Sequence, residues 1–279
     1  MSNSQKTILI TGCSSGIGYA VAHGLTAHGW RVFATCRKPD DCARLEREGL
    51  ESFVLDYEDQ ASIETAVTEA LTRTGGTLDA VFNNGAYGIP GLLEDLPTEA
   101  LRANFETNFF AQHTLARLLL PVFRRQGHGR ILMNSSVLGF LALTWRGSYN
   151  STKFAMEGWA DTLRLEMAGT GIHVVLIEPG PITSDIRIKS IPHFEKWIDP
   201  ENSAREEEYE TRLKKRLYKK ESKPAAFELP ASAVTDVVYR ALTSPRPKPR
   251  YRITKPTKVF WILKRLLPTR LMDRLLLRV

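Results

Sequence analysis

The sequence predicts an α/β fold, a doubly wound parallel sheet in a single main domain. Three observations lead to this fold class. Short apolar segments alternate with segments of helical periodicity from residue 7 to about residue 180. A glycine-rich turn separates the first strand from the first helix. The polar motifs follow the ends of predicted strands, where ligands bind in such sheets.

Periodicity and breakers place the elements in order. The predicted strands are Thr7–Thr11, Trp30–Thr35, Phe53–Leu55, Leu78–Phe82, Arg130–Met133 and His173–Ile177. The predicted helices are Ile17–His28, a helix ending at Leu45–Gly49, Ile63–Thr74, Leu101–Phe123 and Tyr149–Met167. Gly29 ends the first of these helices and the pair Gly75-Gly76 ends the third.

Length and composition fit one globular domain with extensions. The chain has 279 residues, 43% hydrophobic and 25% charged. Residues 1–250 are assigned to the main domain, with an insert at about 184–230, and residues 251–279 to a C-terminal tail. No apolar run reaches the roughly 18–20 residues of a membrane span, and no secretory segment is recognised, so a cytoplasmic location is expected. Cys13, Cys36 and Cys42 are expected to be free thiols, and no metal site is predicted.

The net charge of +7 lies entirely in the tail. Residues 251–279 contain eight Lys or Arg and one Asp, so the body is neutral. A neutral body argues against nucleic acid as a partner.

The turn after the first strand reads Thr11-Gly12-Cys13-Ser14-Ser15-Gly16-Ile17-Gly18. Its glycines let the backbone approach an anion, and the following helix directs free N–H groups and its positive dipole end to the same place. A plain glycine turn is the alternative, but the strand before and the helix after favour a dinucleotide pyrophosphate. The predicted contacts come from Gly12, Ser14, Ser15, Gly16, Ile17 and Gly18.

The end of the second strand carries Arg37 and Lys38, with no carboxylate before Asp40. NAD-binding proteins commonly place an acidic residue here for the ribose 2′-hydroxyl. A guanidinium suits a 2′-phosphate instead, so the pattern favours NADP(H), bound by Arg37 with support from Lys38. The alternative is a solvated basic turn.

Tyr149 and Lys153 are four residues apart and share one face of the predicted helix. An ammonium beside a phenol favours the phenolate, so Lys153 is expected to lower the pKa of Tyr149 from about 10 and create an acid–base group. Ser136, thirteen residues earlier, can hydrogen-bond the same reacting oxygen. The neighbouring Ser135 is expected to face the other side of its strand. A second Tyr-x-x-x-Lys pattern, Tyr251–Lys255, is considered accidental because prolines surround it.

Taken together, the glycine turn, Ser136, Tyr149 and Lys153 resemble the short-chain dehydrogenase/reductase family, from Lys6 to about Leu242. The match is closest to its NADP-using aldehyde reductases, retinol dehydrogenases and 17β-hydroxysteroid dehydrogenase-like members. The resemblance implies a Rossmann-like fold and reversible reduction of an aldehyde or ketone. Tyr149 would donate the proton, and Lys153 would bind the nicotinamide ribose. It also implies a homodimer or homotetramer formed through the two long helices.

The resemblance gives roles to residues that local pattern leaves open. Asp56 would contact the adenine, or else cap a helix. Asn83 would line the cofactor, or else stabilise the sheet. Asn83-Asn84-Gly85-Ala86 exchanges the last two residues of the family pattern, and Ala86 would cost about 1–2 kcal/mol if that position needs a positive φ.

Two further motifs are assigned by the same resemblance. Asn108 would anchor a water that passes protons to Lys153, unless the backbone satisfies its side chain. The segment Pro179-Gly180-Pro181-Ile182-Thr183 matches a family loop whose backbone near Ile182 and Thr183 hydroxyl contact the nicotinamide carboxamide.

The substrate side is predicted to be apolar. The loop Val137–Arg146 contributes Leu138 and Trp145, which with Ser136 and Tyr149 would bind a small apolar carbonyl compound or alcohol. Core packing is the alternative for several of these side chains. In the insert, charges of alternating sign from Arg205 to Glu221 predict a solvated helix face, which is compatible with a lid.

Pro268 divides the tail into two short basic amphipathic helices. Residues 257–279 would either pack against protein, which is preferred, or contact an anionic membrane surface peripherally. Other functions stay open: retinol or hydroxysteroid oxidation, a membrane-surface scaffold, and a non-catalytic NADP-binding regulator. The intact Ser136, Tyr149 and Lys153 argue against the regulator.

Overall fold

A seven-stranded sheet forms the centre of the protein, in a computed structural model that describes residues 5–219 and 226–278. Its strands are β1 (Thr7–Ile10), β2 (Arg31–Cys36), β3 (Glu51–Val54), β4 (Ala80–Asn83), β5 (Gly129–Asn134), β6 (Ile172–Glu178) and β7 (Arg250–Arg252). The order is β3-β2-β1-β4-β5-β6-β7, and every neighbouring pair is parallel. The predicted doubly wound α/β fold is therefore confirmed.

Helices cover both faces of the sheet, and further helices form the insert and the tail. They are α1 (Gly16–Ala27), α2 (Pro39–Arg47), α3 (Gln60–Thr74), α4 (Thr98–Phe105), α5 (Ala111–Gln126), α6 (Gly147–Glu166), α7 (Ile186–Trp197), α8 (Glu206–Glu208), α9 (Lys214–Leu217), α10 (Ser232–Thr243), α11 (Lys255–Leu266) and α12 (Thr269–Leu276). The six predicted strands and the predicted helices lie within a few residues of these bounds. The exception is the stretch predicted as one helix over Leu101–Phe123, which a π-helical turn at Glu106–Phe110 divides.

The core has one large apolar cluster on each face of the sheet. Leu9, Phe33 and Val81 belong to one cluster, and their strand neighbours Ile8 and Phe82 belong to the other. This alternation is expected because successive side chains of a strand point to opposite faces. A third cluster lies beneath the insert. The three cysteines are buried free thiols, as predicted.

Strand β7 was not predicted. It pairs with β6 through Tyr251 and Ile177, and the next residue, Ile253, is buried in the core. The boundary predicted between residues 250 and 251 therefore falls inside a strand. The short, Pro- and Arg-rich sequence concealed it, and the pattern Tyr251–Lys255 spans a strand end and a helix start instead of a helical face.

The two helices predicted on either side of Pro268 are α11 and α12. Residues 220–225 of the predicted insert, which include the end of its charged stretch, lie outside the described residues, as do residues 1–4 and 279. Within the part of the chain that the structure describes, no helix combines the length and the apolar character needed to span a membrane.

Candidate active site at the carboxyl edge of the sheet

The glycine turn after β1 is a tight backbone cradle. Gly12 and Gly16 have φ of 68° and 61°, in the left-handed region that side chains disfavour. A Cβ at Gly18 would lie 2.4 Å from the carbonyl oxygen of Gly12, so α1 can approach the turn only with glycine there. The turn and the first N–H groups of α1 are thus available to an anionic ligand.

Asn84 holds this turn from the neighbouring strand, a role that the sequence reasoning missed. Its Nδ2 donates to the carbonyl oxygen of Thr11 at 2.9 Å, and its Oδ1 accepts from Asn134 Nδ2 at 2.8 Å. The Thr11 hydroxyl oxygen also accepts from the backbone N–H groups of Asn84 and Gly85. The sequence position of Asn84 could have suggested this role, because Asn84 directly follows β4, the strand that pairs with β1.

The side chain of Asn83, in contrast, points into the core. It is fully buried, accepts a hydrogen bond from the Tyr57 hydroxyl at 3.1 Å and donates to Met133 Sδ. The side chain therefore fits the structural alternative, and a contact of the Asn83 backbone with the cofactor stays a prediction. Ala86 is not among the three non-glycine residues with positive φ in the described chain, so the exchanged Gly85-Ala86 carries no such strain.

Asp56 follows β3 and is partly exposed. Its carboxylate accepts the backbone N–H of Glu58 at 3.0 Å, whereas Asp59 is the residue that caps α3. Asp56 is therefore a partly exposed turn residue, and it is not the helix cap that was considered as its alternative role.

Four cations surround the glycine turn. Arg37 and Lys38 are exposed where β2 ends, and Arg44 of α2 donates to the carbonyl oxygen of Ser14 at 2.7 Å. Lys189 of α7 reaches the turn from the insert, with its Nζ 2.5 Å from Ser15 Oγ and 3.4 Å from Ser14 Oγ. No local pattern marked Lys189, because only the tertiary fold brings the insert over the turn.

Helix α7 crosses the cleft. Lys189 and His193 are four residues apart on it, and the His193 ring stacks on Tyr87 at 3.9 Å between ring centroids with 16° between planes. Burial and then the charge of Arg37 lower the pKa of His193, so the Arg37 guanidinium lies near this stack. One face of α7 therefore covers the ends of the strands from the glycine turn to Tyr87.

Ser136, Tyr149 and Lys153 come together as predicted. The Ser136 side chain lies near the Tyr149 phenol and acts to lower its pKa. Ser136 Oγ also accepts the backbone N–H of Leu138 at 3.1 Å, which fixes its side chain at the start of a 3₁₀ turn. Lys153 Nζ lies 5.4 Å from the Tyr149 ring centroid and donates to the Asn134 carbonyl oxygen at 2.6 Å.

The electrostatics of this group differ from the prediction. Burial raises the pKa of Tyr149 to about 12, although the nearby Ser136 side chain and the charge of Arg146 act in the opposite direction. Burial also lowers the pKa of Lys153 to about 7, partly offset by Glu157. Desolvation disfavours both charged forms, and it outweighs the attraction expected from the sequence.

Asn108 lies in the π-helical turn, where such turns often mark functional sites. Its side chain accepts the Tyr87 N–H at 3.0 Å and donates to the Tyr87 carbonyl oxygen at 2.8 Å. Its Nδ2 also lies 3.2 Å from Thr152 Oγ1. The backbone thus satisfies the buried side chain, and Asn108 connects Tyr87 to the helix that carries Lys153.

The loop after β6 is fixed by its neighbours. The Pro179 carbonyl oxygen accepts the N–H of Val137 at 2.8 Å, which ties this loop to the one carrying Ser136. Ile182 forms an isolated bridge with Leu229, and the exposed Thr183 donates to Glu228 Oε1 at 2.7 Å. Thr183 thus bonds to the end of the insert instead of pointing freely to the cleft.

On the substrate side, Leu138 and Trp145 are partly buried. Trp145 contacts the Tyr209 ring edge-on at 5.0 Å between centroids, and Tyr209 donates to Asp95 Oδ2 at 2.7 Å. The insert is therefore anchored by a small core of its own. Its outward charges form exposed pairs such as Arg205–Glu208, which agrees with the predicted solvated face over the described part of the insert.

Ser135 is turned away from the phenol and donates to Glu157 Oε1 at 2.5 Å. Glu157 belongs to a charged cluster in which Arg250 also contacts Asp161 and the buried Glu178. The sequence prediction for the two serines is therefore confirmed.

Comparison with known proteins decides the family. The profile described as short chain dehydrogenase matches residues 6–193. The chain belongs to the short-chain dehydrogenase family. It is 38% identical over 272 residues to the uncharacterized oxidoreductase YbbO of Escherichia coli strain K12. The aligned region covers 98% of this chain and 94% of YbbO.

Two further relatives of this short-chain dehydrogenase are informative. An NADPH-dependent 3-dehydrocapnine reductase of Ornithobacterium rhinotracheale is 30% identical, over 97% of this chain and 96% of that protein. The crystal structure of a short-chain dehydrogenase from Streptomyces avermitilis superposes with a TM-score of 0.78 at 26% identity, over 94% of this chain and 92% of the other. As a family member, the protein is an oxidoreductase with a nicotinamide dinucleotide site.

The residues around the glycine turn fit such a dinucleotide. The left-handed Gly12 and Gly16 leave the backbone open to a pyrophosphate, Lys189 offers a cation beside it, and Arg37 stands where the nucleotide ribose is expected. Among the described residues, no group of three or more His, Cys, Asp or Glu side chains could hold a metal ion.

Proposed function

We propose that this protein is an NADPH-dependent reductase of small apolar aldehydes or ketones. The observation that carries the proposal is the convergence of Ser136, Tyr149 and Lys153 beyond the end of β5, beside the glycine turn. This constellation can bind and protonate a carbonyl oxygen next to a nicotinamide.

The chain's own residues provide proton transfer and orientation. A bound NADPH would supply the hydride that reaches the carbonyl carbon. Tyr149 then donates its proton to the oxygen as negative charge develops there, and Ser136 donates a hydrogen bond to the same atom. Lys153 is held by the Asn134 carbonyl oxygen with its Nζ 5.4 Å from the centroid of the Tyr149 ring, where an ammonium can stabilise the phenolate that forms.

The protonation state of Tyr149 suits the reductive direction of this reversible reaction. A phenol whose pKa is raised to about 12 is protonated at pH 7 and therefore ready to donate. In the oxidative direction the same group would act as a phenolate that accepts the proton.

The preference for NADPH rests on the end of β2. Arg37 and Lys38 are both exposed there, and no carboxylate occupies the position that would repel a 2′-phosphate. The relative that reduces 3-dehydrocapnine with NADPH supports the same preference and the same direction. Lys189 extends the proposed site, because its ammonium lies where it would contact the pyrophosphate.

An apolar substrate is proposed because the surfaces around Tyr149 are apolar. Leu138 and Trp145 lie on the loop after β5, and Tyr87 lies across from them beneath the insert. The same family resemblance leads us to propose a homodimer or homotetramer. The exposed aromatic rings of Phe110 and Phe154 support it, since they lie on the π turn and on α6.

The test is a measurement of NADPH and NADH consumption with a panel of aliphatic and aromatic aldehydes, ketones, retinoids and steroids. We expect turnover with apolar carbonyl compounds and a preference for NADPH. Absence of reduction across the panel, with intact NADPH binding, would refute the catalytic proposal in favour of a regulator that binds the dinucleotide. A preference for NADH would refute the cofactor assignment alone.

A further inference from the structure

Helix α11 is seated firmly on the body. Thr257 is fully buried and, with Thr254, packs against Gly180 of the loop after β6. On the same helix, Trp261 lies between the guanidinium of Arg252 at 4.0 Å and that of Arg265 at 3.7 Å from its ring centroid. The inner face of α11 thus packs against the body, and this packing determines which side of the helix is left exposed.

The opposite side of α11 is an exposed stripe of mixed character, which we term the outer face. It consists of Lys255, Lys258, Val259, Ile262 and Leu266, whose spacing of three and four residues places them on one side of the helix. Its apolar members are 52%, 49% and 73% exposed in chain order. Three bulky apolar side chains that are about half exposed or more, flanked by two cations, are unusual for a helix whose other face is already buried.

The next helix repeats the pattern. On α12 and the residue that follows it, Leu271 and Leu277 are exposed, and so are the neighbouring Arg270 and Arg274, while Met272 is buried. Residues 251–272 contain no Asp or Glu, and the tail as a whole carries the net charge of +7 of a chain whose body is neutral. The excess charge and five exposed large apolar side chains therefore lie in the same 29 residues.

We infer that the outer face of α11, continued by α12, binds the surface of an anionic lipid membrane. Cations beside apolar side chains match such a surface, because the headgroups neutralise the charge while Val259, Ile262 and Leu266 enter the acyl boundary. A second copy of this chain fits the face poorly. A symmetric contact brings the same patch of both subunits together, and here it would place two positive tails against each other.

The experiment measures sedimentation of the full-length protein with vesicles of phosphatidylcholine alone and vesicles containing about 30% phosphatidylglycerol, an anionic fraction high enough to attract polybasic segments. The test variant is Ile262→Ser combined with Leu266→Ser, at two positions where the side chains contact mainly solvent. The matched control is Leu165→Ser, which removes a 68% exposed leucine from α6 on the neutral body. Thermal unfolding verifies that both variants fold.

We expect the wild type and Leu165→Ser to bind the anionic vesicles at least about tenfold more tightly than the neutral ones, with binding that weakens as salt is added. The double variant should lose about tenfold or more of this affinity. Equal affinity for both vesicle types, no binding at all, or an unchanged affinity of the double variant would overturn the inference. The inference would also be overturned if the protein formed oligomers without lipid, or complexes with an acidic protein, and the double variant abolished these while vesicle binding persisted.

Discussion

Lys153 Nζ lies 5.4 Å from the centroid of the Tyr149 ring and is anchored by the Asn134 carbonyl oxygen, not by the phenol. The backbone of β5 thus holds the Lys153 amine in place independently of Tyr149. Burial leaves Tyr149 protonated and lowers the pKa of Lys153 to about 7. The pair is arranged to give a proton to an oxygen and then to stabilise the phenolate that remains.

Replacing Tyr149 by Phe removes the proton donor and preserves the ring. We expect kcat for carbonyl reduction to fall by about 10²–10⁴-fold, the usual contribution of a general acid, with little change in the Kd for NADPH. Steady-state NADPH oxidation and fluorescence titration measure the two quantities. Tyr251→Phe is the matched control, because Tyr251 belongs to the second Tyr-x-x-x-Lys pattern and lies on β7. Normal turnover by Tyr149→Phe would contradict the mechanism.

Arg37→Ala tests the proposed 2′-phosphate contact. A charge-assisted hydrogen bond contributes about 1.5–3 kcal/mol, so kcat/KM for NADPH should fall roughly tenfold to a hundredfold, while kcat/KM for NADH stays within about threefold. Arg47→Ala removes another exposed cation from the same region, at the end of α2, and should change neither value. Equal losses with both cofactors would show that Arg37 does not read the phosphate.

The fold and the catalytic group could be predicted from sequence because both depend on local patterns. Tyr149 and Lys153 share a helix, and Ser136 directly follows a strand, so spacing alone brings them to one edge of the sheet. The glycine turn could be predicted in the same way, because Gly12, Gly16 and Gly18 are the residues that permit its conformation. These features need no knowledge of distant contacts.

The features that sequence reasoning missed all depend on such distant contacts. Lys189 meets Ser15 across 174 residues of chain, and β7 is a strand only because β6 offers it an edge. The raised pKa of Tyr149 has the same origin, because burial is set by the whole fold and not by the neighbouring lysine. The burial of the Asn83 side chain was also not predicted, because a position at a strand end does not show which way the side chain points.

Lys189→Ala tests whether the insert helps to bind the cofactor. The pyrophosphate is common to both dinucleotides, so the Kd values of NADPH and NADH should rise together, by about tenfold for one charged hydrogen bond. Lys189→Arg should retain part of the affinity. Lys196→Ala is the control on the same helix, since its ammonium lies over the Trp197 ring. If affinity were unchanged in Lys189→Ala, the contact with Ser15 would be a feature of lid packing alone.

Gly180→Ala tests the packing of α11 on the loop after β6. A Cβ there would lie 2.3 Å from Thr254 Oγ1 and 2.5 Å from Thr257 Oγ1, both in buried residues. Thr254 cannot easily move. Its φ of 79° is a strained conformation for threonine, and such a conformation persists only where the surrounding packing fixes it. We expect the free energy of unfolding to fall by about 1–3 kcal/mol, as overpacking usually costs.

Chemical denaturation provides this measurement, with Gly158→Ala as its control. Gly158 lies in α6 with nothing within 4 Å of its added Cβ, so alanine should be neutral or stabilise by up to about 1 kcal/mol. If both variants changed stability equally, the close approach of Thr254 to Gly180 would not be what determines the effect.

The buried Glu178 should make stability depend on pH. Burial and then the charge of Glu157 raise its pKa to about 7, despite Arg252 and Arg250, whose Nε atoms lie 2.9 and 3.0 Å from its carboxylate. In the unfolded chain a glutamate titrates near pH 4.3. Between these two pH values the folded state binds more protons than the unfolded state, so this group's stabilisation is complete below about pH 4 and is lost as the pH rises through 7.

In Glu178→Gln this titration is absent. The free energy of unfolding of the wild type should therefore decline relative to that of the variant by a few kcal/mol, on the order of 3 at most, between about pH 4.5 and pH 7.5. Urea denaturation across this range measures the difference, and Glu166→Gln, at an exposed position on α6, should follow the wild type. A difference that stays constant with pH would mean that Glu178 remains ionised, and that Arg250 and Arg252 outweigh its burial.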